Sequence, residues 1–371
     1  MKEDRIRNWD QLNAALFEDS WYSPHGRFRG PFLFRGMTNA SWNLETSLMR
    51  LGGHYPDVES SLLRNFRKYA HRDSAHGDSF WHWMAVAQHH GLPTRLLDWT
   101  FSPHVAAHFA TDDFNDAAVD GVVWAVNVIR LQDLLPAKMR KVLRQQEAFI
   151  FTTAMLDRFA SSLGEFDNML KKEQPVVLFL EPPSLDDRIV NQASLLSFMS
   201  PVTVRLDQWL ADRCPHLARK IIIPASVKSE IRDKLDMMNL TERMMFPGPD
   251  GLSKWLKRYY SPLNLIEVTY ENASIGGETK IGVIEKAENG VLWVRLFTAH
   301  AESGEARLQS QDDGHWYDTQ LQHKVTVKPR ATPARCEAAL AHLAALRGGS
   351  WLQRRQQADA LRKAWKAGHN P

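Results

Sequence analysis

Residues 88–100 read Gln-His-His-Gly-Leu-Pro-Thr-Arg-Leu-Leu-Asp-Trp-Thr and gather two histidines, an arginine and an aspartate in one short stretch. Residues 79–90 have the apolar content of a helix, and residues 103–110 read as the next helix. Burying so many polar groups costs stability unless they are paired or used. The stretch therefore predicts a polar site held between two helices.

A short buried strand is predicted just upstream, at residues 31–36, Pro-Phe-Leu-Phe-Arg-Gly. Arg35 stands near its end, and an arginine can bind a phosphate or carboxylate through two parallel hydrogen bonds. Gly36 has no Cβ, which favours close approach of a ligand to the backbone. Arg35 is therefore a candidate ligand anchor. Two structural alternatives stay open, a buried ion pair of Arg35 with Asp98 and a helix-capping role for His89.

The remaining pattern mixes strands and helices without a regular alternation. Helices are expected at residues 7–18, 59–70 and 226–238, and strands at 121–128, 176–180, 189–198 and 219–223. This order favours an α+β fold over a doubly wound parallel sheet.

The residue pattern changes after Tyr260 from mixed helices and strands to short strands. Short strand-like runs follow, separated by turn signals such as Asn289-Gly290. We predict a first domain over residues 1–261, a small β-meander or barrel over 262–330, and basic helices over 331–371.

The composition is that of an ordinary globular protein. Apolar residues make up 44% of the 371 residues and charged residues 24%, which excludes disorder of the whole chain. Cys214 and Cys336 are too few for a disulfide framework. The charged start lacks the apolar core of a signal peptide, and no apolar run approaches the ~18 residues of a membrane helix. We expect a cytoplasmic protein without a membrane partner.

The net charge of +3 is too small to indicate nucleic-acid binding by itself. A basic stripe does occur near the C-terminus, at Arg354, Arg355, Arg362 and Lys363. It is either a solvated helix face or a contact to nucleic acid or an acidic partner.

Common catalytic motifs are missing from the sequence. There is no phosphate-binding P-loop, no glycine-rich dinucleotide fingerprint and no His-Glu-x-x-His. His82, His89 and His90 lack a cysteine or carboxylate that would complete a zinc site, so no metal is predicted. A nuclease is ranked third among the functions, because no acidic cluster suits Mg²⁺.

Several blocks, in their order and spacing, resemble the FRG domain family, which is named for its Phe-Arg-Gly tripeptide. The blocks that carry the resemblance lie at residues 32–36, 83–100, 102–103, 106–110, 188–194 and 246–252. The resemblance covers residues 10 to 258, and FRG domains occur in bacterial and phage proteins, often near defence or toxin–antitoxin systems.

The resemblance implies a layout similar to an ADP-ribosyltransferase that uses NAD. In that layout Arg35, Asp98 and Gln192 are the implied catalytic residues, with Arg35 holding the diphosphate and Trp99 or a histidine stacking on nicotinamide. The implied cofactor-binding residues are Arg35, Gly36, His89, His90, Thr94, Arg95, Trp99, Thr100 and Asn191. Arg35, His89, Thr94, Asp98 and Gln192 are accordingly expected to line one cleft.

The neutral Gln192 leaves the chemistry open, because a carboxylate stabilises a ribosyl cation better than an amide does. Either the acid is Asp98 or Glu181, or the domain binds without transferring. The expected function is therefore an ADP-ribosyltransferase-like toxin or defence effector. The alternative is a module that senses a nucleotide or other phosphate-bearing ligand. Nucleic acid or an antitoxin protein are the expected macromolecular partners.

Overall fold

The structure, a computed structural model, describes residues 1–70, 79–112, 119–183, 186–260, 265–270, 278–288, 291–297, 302–310, 316–321 and 323–328. In these ranges the strands, in chain order, are β1 (Lys2–Arg5), β2 (Trp21–Tyr22), β3 (Arg27–Phe28), β4 (Phe32–Met37), β5 (Leu97–Thr100), β6 (Gly121–Asn127), β7 (Phe151–Thr152), β8 (Val176–Glu181), β9 (Ser194–Ser200), β10 (Ala218–Ile223), β11 (Leu265–Tyr270), β12 (Glu278–Glu288), β13 (Val291–Phe297), β14 (Glu302–Ser310), β15 (Trp316–Asp318) and β16 (His323–Lys328).

The helices in the same ranges are α1 (Trp9–Leu16), α2 (Tyr55–Tyr69), α3 (Phe80–His89), α4 (Pro103–Ala110), α5 (Val128–Leu131), α6 (Ala137–Gln145), α7 (Thr153–Asp157), α8 (Leu163–Leu170), α9 (Asp187–Asn191), α10 (Leu206–Arg213), α11 (Ala225–Met237), α12 (Glu242–Met245) and α13 (Pro249–Tyr259). None of the helices in the described part of the chain is long and apolar enough to cross a membrane.

Among the described residues, eight strands form one mixed sheet in the order β1-β10-β6-β4-β5-β9-β8-β7. The two outer pairs, β1 with β10 and β7 with β8, are parallel, and the inner pairs are antiparallel. The α+β class with a mixed sheet is thereby confirmed.

The sheet is buried on both faces because its central strands are nearly all apolar. On β4, Leu33 joins a core with Trp99 and Trp124 on one face, while Phe34 joins a second core with Val123 on the other. This alternation follows from the two-residue repeat of a strand. Arg35 has the parity of Leu33, so it leaves β4 on the face of the tryptophan core.

Local sequence signals account for most elements. The helix expected over 103–110 is confirmed as α4, with Ser102 Oγ accepting from Val105 N. The strand expected over 189–198 was wrong in its first half. Residues Asp187–Asn191 are helical because the Asp186 side chain caps them, accepting from Ile189 N at 3.2 Å.

The β-rich segment forms a closed barrel of six strands, β11 to β16, within the described ranges. Antiparallel pairing of β11 with β16 closes it. Gly282 is required inside, since a Cβ there would lie 2.4 Å from Val294 Cγ1. Ala225, at the start of α11, packs with the apolar interior of the barrel. The predicted helices of residues 331–371 lie outside the described residues, as do the residues at the proposed boundary near 262.

Candidate functional site

The sheet opens between β4 and β5. Strand β4 pairs with β6 along its full length from Phe32 to Met37, whereas its described pairing with β5 is Phe34 opposite Thr100. Just past this pair, Arg35 Nη1 donates to the backbone carbonyl of Asp98 at 2.6 Å. The Arg35 side chain therefore bonds to β5 beyond the last described backbone pair, at the edge of the opening between β4 and β5.

The Arg35 guanidinium is mostly buried and only partly satisfied. Its side chain is 20% exposed, and the Asp98 carboxylate lies 3.9 Å from Nη1. The buried Nε–H has no acceptor among the described residues. Burial lowers the pKa of Arg35, and the Asp98 charge opposes this shift. Arg35 is therefore a desolvated cation with donors left for a ligand.

A wide cleft starts at Arg35 and holds about 1890 Å³ of space, solvent included. It is bounded by the end of β4, the loop that follows, the end of α4, and one face of α13. Its lining residues are Arg35, Gly36, Met37, Thr38, Ser41, Trp42, Asn43, Glu45, Arg50, Phe109, Asp112, Lys254, Lys257 and Arg258. A nucleotide-sized ligand fits this space.

The cleft carries an excess of positive charge. Its described lining has five cations, Arg35, Arg50, Lys254, Lys257 and Arg258, of which Lys254 is paired with Asp112 and Arg258 with Glu242 and Asp236. The carboxylate of Glu45 is on the same lining. Walls of one sign raise the local concentration of oppositely charged ligands. The charge favours an anion such as a phosphate ester.

Two aromatic rings border the same space. Trp42 is 51% exposed, while Phe109 is half-buried on α4. An exposed indole beside cations offers a stacking surface for a nucleobase or nicotinamide ring.

A buried ionic network underlies the α13 wall. Arg258 donates to both Glu242 carboxylate oxygens and, from Nη2, to Asp236 at 2.6 and 2.7 Å. Arg232 Nη2 donates to Asp112 at 2.8 Å and lies 3.2 Å from Glu242. Burial raises the pKa of Glu242, but Arg258 and Arg232 outweigh that effect and hold it at about 2. The network fixes α13 against the fold.

His108 belongs to this network as a neutral ring. Its Nδ1 lies 3.0 Å from the Leu240 carbonyl, which can only accept, so Nδ1 carries the proton. Its Nε2 then accepts from Arg232 Nη2 at 3.3 Å. Burial, together with the Arg232 charge, lowers the pKa of His108 to about 3. His108 is a fixed structural ring rather than a proton carrier at neutral pH.

The structure joins three of the predicted site residues through Gln88. Gln88 Nε2 donates to the Asp98 carboxylate at 3.0 and 3.2 Å, and its Oε1 accepts from Thr94 Oγ1 at 2.5 Å. Since Arg35 binds the Asp98 carbonyl, one chain of contacts connects Arg35, Asp98 and Thr94. Gln88 holds the exposed Asp98 carboxylate in place beside the guanidinium.

Arg95 lies in a closed pocket instead. It is 3% exposed and donates to Glu59 from Nε and Nη2 and to Asp167 from Nη1 and Nη2, at 2.6 to 2.9 Å. All three guanidinium nitrogens donate to carboxylates, so Arg95 links α2 to α8 and is committed to the fold rather than to a cofactor.

Trp99 and Thr100 also face inward. Trp99 is 3% exposed, packs on Phe179, and donates Nε1–H to Ser197 Oγ at 2.8 Å. Thr100 Oγ1 donates to the Gln192 carbonyl at 2.7 Å. In this structure the Trp99 ring is a core side chain and is not placed to stack on a ligand.

Gln192 and Asn191 hold the short helix α12. Gln192 Nε2 donates to the Met245 carbonyl at 2.8 Å and Asn191 Nδ2 to the Met244 carbonyl at 2.9 Å. The next residue, Ala193, has φ +44°, a left-handed conformation that costs a non-glycine residue energy. The Gln192 amide is thus committed to the backbone at the strained entry to β9.

His89 and His90 sit at the far end of α3. His89 Nε2 lies 2.7 Å from Asp186 Oδ2, and burial lowers its pKa against the opposing Asp186 charge. His90 is exposed and edge-on to His89. Neither histidine lines the cleft of Arg35.

Gly36 is needed for packing. A Cβ at Gly36 would lie 1.8 Å from the Ala106 carbonyl, so α4 could not rest on β4 with any other residue there. Gly36 also lines the cleft.

Five residues were expected to line one cleft, and Arg35 is the one that the structure places on its described lining. Asp98 and Thr94 connect to Arg35 through the hydrogen bonds of Gln88 and of the Asp98 carbonyl. His89 and Gln192 are not among the described lining residues and bind Asp186 and α12 instead.

Sequence reasoning missed Trp42, Lys254 and Lys257. The lysines lie on α13 with Arg258 at helical spacing, and this basic face was a visible signal. Trp42 follows no motif. The C-terminal candidates Arg354, Arg355, Arg362 and Lys363 fall outside the described residues, and the described residues contain no group of three or more side chains suited to a metal ion.

Comparison with known proteins gives one family match. The family model for the FRG domain matches residues 30–118, which include β4, the Arg35 tripeptide, α3, β5 and α4. No curated protein and no solved structure matches the chain. The match supports the FRG family inferred from the Phe-Arg-Gly tripeptide and the residue 88–100 stretch.

Proposed function

We propose that this FRG-domain chain binds NAD, or a closely related nucleoside diphosphate, in the Arg35 cleft and transfers ADP-ribose to a macromolecular acceptor. One observation carries the proposal: Arg35 stands desolvated and under-satisfied where β4 and β5 part, at the mouth of a basic cleft. A guanidinium with uncommitted donors suits the diphosphate, because charge-assisted fork contacts are the strong ones.

The cleft lining supplies the other contacts that such a ligand needs. Arg50 and Lys257 line the same space and add positive charge, while the Lys254 ammonium is paired with Asp112. Trp42, half-exposed, gives a face for the adenine or nicotinamide ring. Together they recognise a planar ring attached to a diphosphate rather than a lone anion.

The transfer step breaks the bond between nicotinamide nitrogen and C1′ of its ribose and forms a bond from C1′ to the acceptor. Nicotinamide leaves with the bond's electron pair, and the acceptor loses a proton. Positive charge builds on the ribose in between, and a carboxylate stabilises it. Asp98, held by Gln88 next to Arg35, is the proposed carboxylate, with Glu45 on the cleft lining as a second.

The strand order supports this assignment. Arg35 lies on β4, Asp98 on β5, and Gln192 just before β9, and these are three consecutive strands of the sheet. Arg35 and Asp98 are thus neighbours at the opening although 63 residues separate them, while Gln192 lies beyond the Thr100 end of β5 and binds α12. Their use in a toxin or anti-phage effector stays a prediction.

A second candidate is a sensing module that binds the nucleotide without transfer. The observation that favours it is Gln192, a neutral side chain whose amide donates to Met245 O and is not free to contact a ribose. In that case the ligand would order the Arg35 opening and signal to a partner protein.

One experiment separates these functions. Full-length protein is titrated calorimetrically with NAD and ADP-ribose, then incubated with NAD labelled on the adenylate phosphate and with pools of protein, RNA and DNA. Binding with label transfer supports the transferase. Binding without transfer supports the sensor, and absence of binding to both nucleotides overturns the cleft assignment itself.

A further inference from the structure

A small hairpin projects from the fold just before β4. We call residues 20–30 the aromatic ribbon; its two strands, β2 and β3, pair Trp21 with Phe28 and Tyr22 with Arg27. Gly26 makes the turn with φ +56°. The Arg29 amide donates to the Ser20 carbonyl at 2.6 Å and closes the base. Every residue from 21 to 30 is exposed.

The ribbon exposes large rings that a folded protein normally buries. Trp21 is 56% exposed, Tyr22 43% and Phe28 67%. Trp21 and Phe28 lie opposite each other on one face, with ring centroids 5.3 Å apart and nearly perpendicular planes. Their packing fixes both rings on the ribbon while their outer surfaces stay open to solvent. A preformed ring pair of this kind is a stacking platform.

The opposite face carries charge. Alternation along β3 places Arg27 on the face away from Phe28, where it pairs across the ribbon with Tyr22, and Arg29 follows the end of the strand. Neither arginine has a carboxylate partner among the described residues, and residues 20–31 contain no acid. Glu18, at the base, is already bound by Lys2 and Arg219. The ribbon is therefore a local surface of cations and rings.

We propose that the aromatic ribbon binds single-stranded nucleic acid. A polynucleotide strand supplies bases for Trp21 and Phe28 and phosphates for Arg27 and Arg29, so it uses both faces at once. A bilayer on the ring face would take Trp21 and Phe28 but leave Arg27, on the opposite face, away from the lipid phosphates. A flat protein surface would cover one face only.

The site is independent of the nucleotide cleft. The ribbon ends at Gly30, just before the first residue of β4, whereas the cleft begins at Arg35 near the other end of that strand. From Gly30 to Arg35 the chain spans ~17 Å at ~3.3 Å per residue. Loss of the ribbon's function would consequently leave NAD binding unchanged, and the inference does not rest on the proposed function.

The test uses full-length protein and fluorescein-labelled oligo-dT and oligo-U of about 12 nucleotides, a length in the usual range for single-strand sites. Fluorescence anisotropy gives the affinity at several salt concentrations. We expect Trp21→Ala combined with Phe28→Ala to weaken binding at least ~10-fold. Arg27→Gln combined with Arg29→Gln should lower the log–log salt slope by ~1.4, since each lost phosphate contact removes ~0.7 on a single strand.

Phe149→Ala is the matched control, because Phe149 is 57% exposed and far from the ribbon in sequence. It should bind like the unchanged protein, and all variants should keep its urea midpoint, since the replaced side chains are exposed. The preference between the two oligonucleotides distinguishes DNA from RNA. Equal binding by the double ring variant overturns the proposal. So does ring-dependent binding to phosphatidylglycerol vesicles without oligonucleotide binding.

Discussion

Arg35 and Arg95 begin from the same expectation and end in opposite environments. Both were predicted to bind the ligand, and both side chains are largely withdrawn from solvent. Arg95 meets two carboxylates, Glu59 and Asp167, which accept from all three of its guanidinium nitrogens. Arg35 meets one backbone carbonyl, and its Nε–H has no acceptor among the described residues.

Arg35 and Arg95 differ in how many of their hydrogen-bond donors have acceptors, rather than in how deeply they are buried. A buried charge whose hydrogen bonds are complete stabilises one arrangement of the chain and offers nothing to a ligand. A buried charge with spare donors costs stability until something binds it. Arg95 therefore stabilises the fold, whereas Arg35 belongs to the site. Substitution of each residue tests its assignment.

The largest effect is expected from Arg95→Met. Removing the cation leaves Glu59 buried without its partner, so the free energy of unfolding should fall by about 3–5 kcal/mol. Urea denaturation followed by circular dichroism measures it. The double variant Arg95→Met with Glu59→Gln should recover part of the loss, because it removes the stranded charge as well. A stable Arg95→Met protein that fails to bind NAD would reverse the assignment.

Arg35→Ala should act on binding instead. We expect NAD affinity to fall by about 1.5–3 kcal/mol, the contribution of a charged hydrogen bond, while the free energy of unfolding changes by less than ~1.5 kcal/mol. Arg35→Lys keeps the charge but loses the fork, so it should bind weakly too. Arg130→Ala, an exposed arginine outside the cleft, is the control. A variant that unfolds would place Arg35 with Arg95.

Sequence reasoning reached the elements more readily than the contacts. Helix α4 was predictable because Ser102 and Pro103 mark its start locally, and β6 because its run of apolar residues has few alternatives. The turn signals between short strands predicted a β-meander or barrel, and the pairing of β11 with β16 decides for the closed barrel. Helix α9 was missed because Ile189 and Val190 also suit a strand. The helix forms because the Asp186 side chain caps its start.

The site was predictable only as far as local patterns reach. Arg35 and Asp98 stood out as polar residues in apolar surroundings. The guanidinium of Arg95 is occupied by Glu59 and Asp167, which lie 36 and 72 residues away in the sequence. The basic wall of α13 comes from residues more than 200 positions after Arg35. Such pairings depend on tertiary packing, which a single sequence does not reveal.

The network under α13 allows a test by pH. The pKa of His108 is about 3 in the fold against 6.5 ordinarily, so between those values the unfolded chain binds a proton that the folded chain does not. Stability should therefore fall as the pH drops below 6.5, by about 1.4 kcal/mol per unit for this one group. Burial also lowers the pKa of His89 and His104, which adds to the slope.

His108→Gln isolates that contribution. Urea denaturation between pH 6 and pH 5 should show a slope smaller by about one proton, or about 1.4 kcal/mol per pH unit. The slope is compared rather than the absolute stability, because the substitution also alters packing. An unchanged slope would mean that His108 is protonated in the folded protein. The network under α13 would then not hold His108 as a neutral ring.

The smallest effect is expected from Trp42→Ala. Its indole is half-exposed on the cleft, so its removal should leave the free energy of unfolding nearly unchanged. If it stacks on a ring of the ligand, NAD binding should weaken by about 1 kcal/mol, or about fivefold, and Trp42→Phe should retain most of the affinity. Calorimetry with NAD and with inorganic pyrophosphate separates the two parts of the ligand. Pyrophosphate has no ring, so its binding should depend on Arg35 and not on Trp42. Equal loss for both would show that Trp42 shapes the cleft instead of contacting a ring, and recognition would then reside in the charges alone.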